Sequence, residues 1–210
     1  MLRAMVTNRT IVGRSSSHFT RTVRIFALEL GVAHSFQVAR NLSSLAAADF
    51  GDNPALRLPI LKDESGVWFG ALNICRQLAR ASSAQGRIVW PEQLTTPLLA
   101  NAQELTVQAM ASAVDLIMSR DSVAPTSSFV AKRRASLESS VSWLDQHVDA
   151  VLAALPERDS SYLETTLFCL TEHLGFREVL STEPFARLGA FRSVFGERDS
   201  ARRTPFVFDV

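Results

Sequence analysis

The chain has 210 residues, 47% of them hydrophobic and 20% charged, with 22 basic against 21 acidic side chains and a formal charge of +1. A chain of this length can bury a substantial core without disulfide or metal staples, and its charge balance argues against a dedicated nucleic-acid binder, which usually carries a basic excess. Two distant cysteines, Cys75 and Cys169, make no disulfide framework, Met1–Thr10 lacks the apolar core of a signal peptide, and no run of about 18 apolar residues offers a membrane span. The expectation is a cytoplasmic protein in a reducing compartment, with no membrane partner.

In chain order, Thr10-Ile11-Val12 reads as a short strand and Gly13–Ser17 as a turn. Phe19, Val23, Phe26 and Leu30 recur at steps of four, three and four, one face of a helix, which Gly31 should close. His34–Ala39 alternates weakly and suggests a second strand. Pro59 lies inside the apolar run Leu58–Leu61, where a proline is an edge residue, a bulge or a cis-proline at a strand start. Asp63-Glu64-Ser65-Gly66 predicts a hairpin turn, Val67-Trp68-Phe69 a strand and Ala71–Ala79 a helix with Ile74 and Leu78 inward.

The stretch Ser82–Pro97, rich in small residues, Gly and Pro, predicts a boundary between residues 1–84 and 95–210, with a linker over 85–94. Thr96 should cap a helix starting at Pro97 and running to about Met118. Leu137, Val141, Leu144, Val148, Val151 and Leu155 give the chain's most regular helical periodicity. A third helix carries Leu163, Leu167, Leu170 and Leu174 behind a capping box in which Ser161 accepts from Glu164 and Glu164 reaches back. A last helix should cover Pro184–Phe195, and the apolar tail Thr204–Val210 is expected to pack back on the body.

The order is therefore β-α-β, a hairpin and helix, then helices alone. Within it, Gly13–Ile25 resembles the opening of bacterial glutathione transferases, where a Ser-Pro-Phe stretch enters a helix with a Val-Arg-Ile core. Asn53-Pro54-Ala55-Leu56-Arg57-Leu58-Pro59 resembles their Asn-Pro-x-Gly-Lys-Val-Pro segment, which carries a cis-proline. Ser161–Glu164 and the stretch from Pro184 to Pro205 resemble their helical-domain capping box and terminal helix. The resemblance implies a thioredoxin-like α/β domain followed by an all-helical domain, a homodimer, and a detoxifying transferase that joins the glutathione thiol to a small hydrophobic electrophile. Glutathione is the implied co-substrate, and no metal is implied.

Such chemistry needs a thiolate, and a thiol of pKa about 8.5 is only about 3% ionised at pH 7. A helix N-terminus and a hydroxyl donor stabilise the anion. The resemblance puts Ser17 first and Ser16 second for that hydroxyl, with Ser15 beside them; serines before a helix are equally ordinary N-caps. His18 stands where the family has proline and reads as an exposed bystander. By the same resemblance, the backbone of Leu58 before Pro59 would pair with the cysteinyl part of glutathione, and Arg57 would meet its glycyl carboxylate.

The departure lies at Gly70-Ala71, where the family carries an acid and a serine for the γ-glutamyl group. Both side-chain contacts are missing, while the Ala71 amide and the helix N-terminus remain; Asn73 or Arg76 could compensate. Val107, Met110, Ala111 and Val114 are candidates to line the electrophile pocket, which in the family lies between the two halves. Cys75 and Cys169 read as buried thiols, and His147 and His173 as surface or capping residues. The alternative is a ligand- or protein-binding member of the same scaffold, for instance for an RNA polymerase-like partner, that has lost glutathione recognition. A glutathione-dependent reductase would want a cysteine where this chain has serines.

Overall fold

A computed structural model describes residues 8–84, 86–120, 123–124 and 126–209. Most of the opening segment read for a leader, together with Gln85 of the expected linker and Val210 of the tail, lies outside the described residues. Two compact units are present, one formed by Met1–Gln85 with Asp199–Val210 and the other by Gly86–Arg198. Asp199–Val210, which the sequence reading placed with the helices, thus clusters with the first unit.

The first unit contains β1 (Thr10–Gly13), α1 (His18–Glu29), β2 (Ser35–Val38), β3 (Ile60–Asp63), β4 (Gly66–Phe69) and α2 (Ala71–Ala81). The strand order is β2-β1-β3-β4. β1 pairs parallel with β2 and antiparallel with β3, and β3 pairs antiparallel with β4. The β3–β4 turn closes on Asp63, whose Oδ1 accepts the Ser65 amide at 2.9 Å and whose Oδ2 accepts Gln77 Nε2 of α2 at 2.8 Å. Ile11, Val23, Ile25, Phe26, Ile60, Leu61, Ile74 and Leu78 are fully or almost fully buried. Burying each such side chain contributes roughly 1.5–3 kcal/mol, so the sheet and its two helices hold one another.

The helical periodicity of α1 shows a single face, yet His18, Thr22 and Ile25 on another face are also fully buried. α7 (Asp199–Arg202) packs on α1 from far along the chain. This corrects the reading of His18 as exposed: its ring is enclosed, edge-on to Phe19 at 4.6 Å.

The second unit contains β5 (Ile88–Val89), α3 (Pro97–Met118), α4 (Ser128–Ala154), β6 (Ser160–Ser161), α5 (Tyr162–Phe176) and α6 (Ala186–Gly196). Side chains of Thr96, Ser127 and Ser161 cap α3, α4 and α5. The periodic residues of α4 from Leu137 to Val151 are all buried to 2% exposure or less, and removing one to Ala should cost about 2–5 kcal/mol. α5 is buried along most of its length and packs on α3 and α6. His173 is consequently buried rather than on the surface, while His147 stacks on Trp143 at 4.1 Å. The capping box at α5 forms by half: Ser161 Oγ accepts the Glu164 amide at 3.4 Å, and the Glu164 carboxylate instead takes a two-pronged contact from Arg158 at 2.5 and 2.8 Å. Among the described residues, no helix is long and apolar enough to cross a membrane.

Candidate functional site

Sheet register brings the sequence-predicted loops of the first unit together. Val12 pairs with Ile60, and Ile60 with Phe69. Continued by one residue, that register puts Pro59 beside Gly13 on one side and Gly70 on the other. The serine loop, the Arg57-Leu58-Pro59 segment and the start of α2 therefore share one end of the sheet.

The β1–α1 junction is tightly specified. A Cβ on Gly13 would stand 2.4 Å from Thr20 Oγ1, so only glycine lets the strand turn there. Arg14 O accepts the Ser17 amide at 3.1 Å, and Ser17 Oγ accepts the Thr20 amide at 3.3 Å. Ser17 is thus the N-cap of α1, and its hydroxyl hydrogen is still available to a further acceptor. Ser15 and Ser16 are buried at 8% exposure each, while Ser17 is half-buried. No acidic side chain stands in the first turn of α1 or α2, so neither N-terminal dipole is neutralised by a helix carboxylate.

The Leu58–Pro59 peptide is cis. Pro59 is buried, Leu58 half-buried and Arg57 exposed. Asn53 organises the approach: its Nδ2 donates to Arg57 O at 2.8 Å and its Oδ1 accepts the Ala55 amide at 3.0 Å. Leu56 holds φ +52°, a conformation that favours glycine, and it stands where the resembled segment has one.

Gly70 is the N-cap of α2 with φ +81° and no side-chain cap. Space is open around it, with nothing within 4 Å of a built Cβ. An acid at this position would therefore meet backbone strain rather than a steric clash. Ala71 opens α2 and is 7% exposed. Asn73 is exposed and Arg76 half-buried.

On α3, Met110 is fully buried, so it presents no accessible pocket wall. Val107 and Ala111 are half-buried and Val114 is 36% exposed, on one helix face. Cys75 and Cys169 are buried free thiols.

Sequence reasoning missed Arg14 and Asp209. Asp209 Oδ2 accepts the Ser15 amide at 2.8 Å and lies 3.1 Å from Arg14 Nε. Separated by 195 residues, the pair leaves no local signal.

No family model and no curated protein matches the chain. Solved structures do match its fold. A glutathione S-transferase from Methylobacillus flagellatus, solved with glutathione bound, superposes with a TM-score of 0.76 at 15% identity, over 95% of this chain and all of that one. One from Methylobacterium radiotolerans, in complex with glutathione sulfonate, gives 0.74 at 16% identity over 97% and 98% of the two chains. A glutathione transferase family member from Pseudomonas fluorescens, with bound glutathione, gives 0.74 at 19% identity over 94% and 98%. The arrangement of strands, helices and cis-proline in this chain is the glutathione-transferase fold.

Proposed function

We propose that the chain binds glutathione at the shared sheet end and joins its thiolate to a small hydrophobic electrophile, as a cytoplasmic homodimer with a detoxifying role. The observation that carries this reading is the convergence of the serine loop, Leu58–Pro59 and the α2 N-terminus, in a fold whose solved neighbours were crystallised with glutathione or a derivative. In this reading, Leu58 offers its backbone to the cysteinyl unit, Arg57 its charge to the glycyl carboxylate, and the Ala71 amide with its helix dipole the γ-glutamyl carboxylate. Ser17, or Ser16 beside it, donates its hydroxyl hydrogen to the sulfur and lowers the thiol pKa. Val107, Ala111 and Val114 are the accessible apolar candidates for electrophile contact.

Gly70-Ala71 favours a second reading, a binding protein of the same fold without transferase activity. A lost hydrogen bond to a charged group is worth roughly 1.5–3 kcal/mol, or about tenfold or more in affinity. Calorimetric titration with glutathione of the parent and of Ala71→Ser separates the two. Binding by the parent, strengthened about tenfold by the new hydroxyl, supports the transferase reading. Binding by neither sinks it. Turnover unchanged in Ser17→Ala, Ser16→Ala and the double variant removes the serines from the chemistry.

A further inference from the structure

A cleft of about 620 Å³ opens in the first unit between the end of α1, the start of β2 and the turn after α7. Small-molecule sites occupy about 300–1,000 Å³. Gly31 at φ +61° turns the chain out of α1 here, and the Val32 amide donates to Ala27 O at 2.9 Å. β1 and β2 are parallel, with Thr10 paired to Ser35 and Gly13 to Val38. The cleft therefore flanks the sheet end opposite to Gly13, Pro59 and Gly70, apart from the candidate glutathione site.

Among the described residues, three basic side chains line the cleft, Arg24, His34 and Arg203, and no carboxylate does. Leu28, Val32 and Phe36 supply an apolar wall. Arg24 is half-buried, with its guanidinium 4.4 Å over the Phe36 ring. Among the described residues it makes no hydrogen bond and no ion pair, so its five N–H donors have no protein acceptor. Burial pushes its pKa down, the Asp209 charge opposes that shift, and the Arg21 charge adds to it. Asp209 is itself engaged by the Ser15 amide and Arg14. A partly desolvated cation is costly unless an acceptor meets it. His34 Nδ1 donates to Val32 O at 2.9 Å, which leaves Nε2 for another partner. Arg203 Nη1 donates to Asp199 at 3.1 Å, which leaves Nε and Nη2. The end of α1 opposes an anion only weakly, with about half a negative charge, and Leu28 O and Leu30 O already accept the Gly31 amide and Ser82 Oγ.

We propose that Arg24, His34 and Arg203 form a binding site for the phosphate of a small phosphate monoester, whose apolar body lies on Leu28, Val32 and Phe36. A guanidinium stacked on a ring presents its planar fork edge-on to two phosphate oxygens. A phosphate monoester carries a charge of about −1.5 to −2 at pH 7, which matches more than one cation, where a single carboxylate would match one. The inference is independent of the thiol-transfer reading, because the two sites lie at opposite ends of the sheet.

The test is a titration of ¹⁵N-labelled protein with phenyl phosphate, read by NMR at the amides of Gly31, Ala33, His34 and Phe36. Inorganic phosphate tests the anion alone, phenol the body alone, and chloride the ionic strength. Phenyl phosphate should saturate these amides with a Kd of about 1 mM. Inorganic phosphate should move the same amides more weakly, and phenol and chloride should not saturate them. Arg24→Gln should weaken phenyl phosphate at least tenfold, the size of one charge-assisted hydrogen bond. Arg203→Gln, at an exposed position, should weaken it by about two- to fivefold. No saturation in the parent, an equal response to chloride, a response indifferent to Arg24→Gln, or shifts confined to the Ser17 and Ala71 amides overturns the proposal. If Arg24→Gln does not fold, Arg24→Lys, which keeps the charge but loses the planar fork, carries the same comparison. Failure of both to fold also overturns the proposal, because it would make Arg24 a structural residue.

Discussion

The first unit contains two strand-to-helix junctions that meet at one end of the sheet, and they solve the same problem differently. Between β1 and α1, Gly13 is demanded by a close neighbour and Ser17 caps the helix with its side chain. Between β4 and α2, Gly70 is demanded by its own backbone and no side chain caps the helix. The first junction is crowded and furnished with hydroxyls. The second is open and bare. The α1 junction offers the Ser17 hydroxyl, with the Ser15 amide already taken by Asp209, whereas the α2 junction offers backbone N–H groups alone.

Four changes break or sharpen this contrast. Gly13→Ala should have the largest effect, about 3 kcal/mol by chemical denaturation, because its Cβ would stand within 2.5 Å of Oγ1 and Cγ2 of the fully buried Thr20. A loss within 0.5 kcal/mol would mean that the first junction is not sterically fixed.

Next come the two caps. Ser17→Ala should cost about 1 kcal/mol through the lost hydrogen bond to the Thr20 amide. Gly70→Ala should cost roughly 1–3 kcal/mol through its positive φ alone, with no clash. Equal thermal stability of Gly70→Ala and the parent would show that the second junction relaxes freely.

Smallest is Asp63→Asn in the hairpin that leads into α2. Burial pushes the Asp63 carboxyl upward, but hydrogen bonds from Ser65, Gln77 and Trp68 outweigh it and hold the pKa below the ordinary value. The carboxylate therefore contributes stability above the unfolded pKa of about 3.9 and loses it as pH falls further. For so exposed a group, screening limits the contribution to under about 1 kcal/mol. The stability gap between parent and Asp63→Asn should be present at pH 7 and should close below about pH 3. A gap that persists at pH 2 would assign it to packing rather than charge.

Much of the candidate site was legible in sequence because its parts are local. Ser17 as N-cap follows from a serine before an apolar helical face, and Pro59 from a proline at the edge of a strand-like run. The positive φ of Gly70 was not legible, since a glycine before a helix is compatible with several backbone conformations. Nor was the burial of His18. Periodicity reports one apolar face of α1 and carries nothing about α7, which comes from the far end of the chain and packs on α1 beside Arg21 and Glu29. Arg21, which sequence would place in solvent, is 3% exposed for the same reason and donates to Ala201 O at 3.4 Å.

Neither α7 nor the Ser127 cap of α4 was legible, but by itself the sequence determined α1 to α6, the side-chain caps at Ser17, Thr96 and Ser161, the hairpin and the proline-bearing strand. Those depend on side-chain spacing and backbone preference over a few residues. The tertiary structure decided which loops share a sheet end, which polar residues are enclosed, and that Asp209 occupies the Ser15 amide. It also paired β5 with β6, joining Ile88 to Ser160 in parallel. Each of these joins groups far apart along the chain, and no local preference carries information about a partner so distant; only the closed sheet and packed helices set their separation.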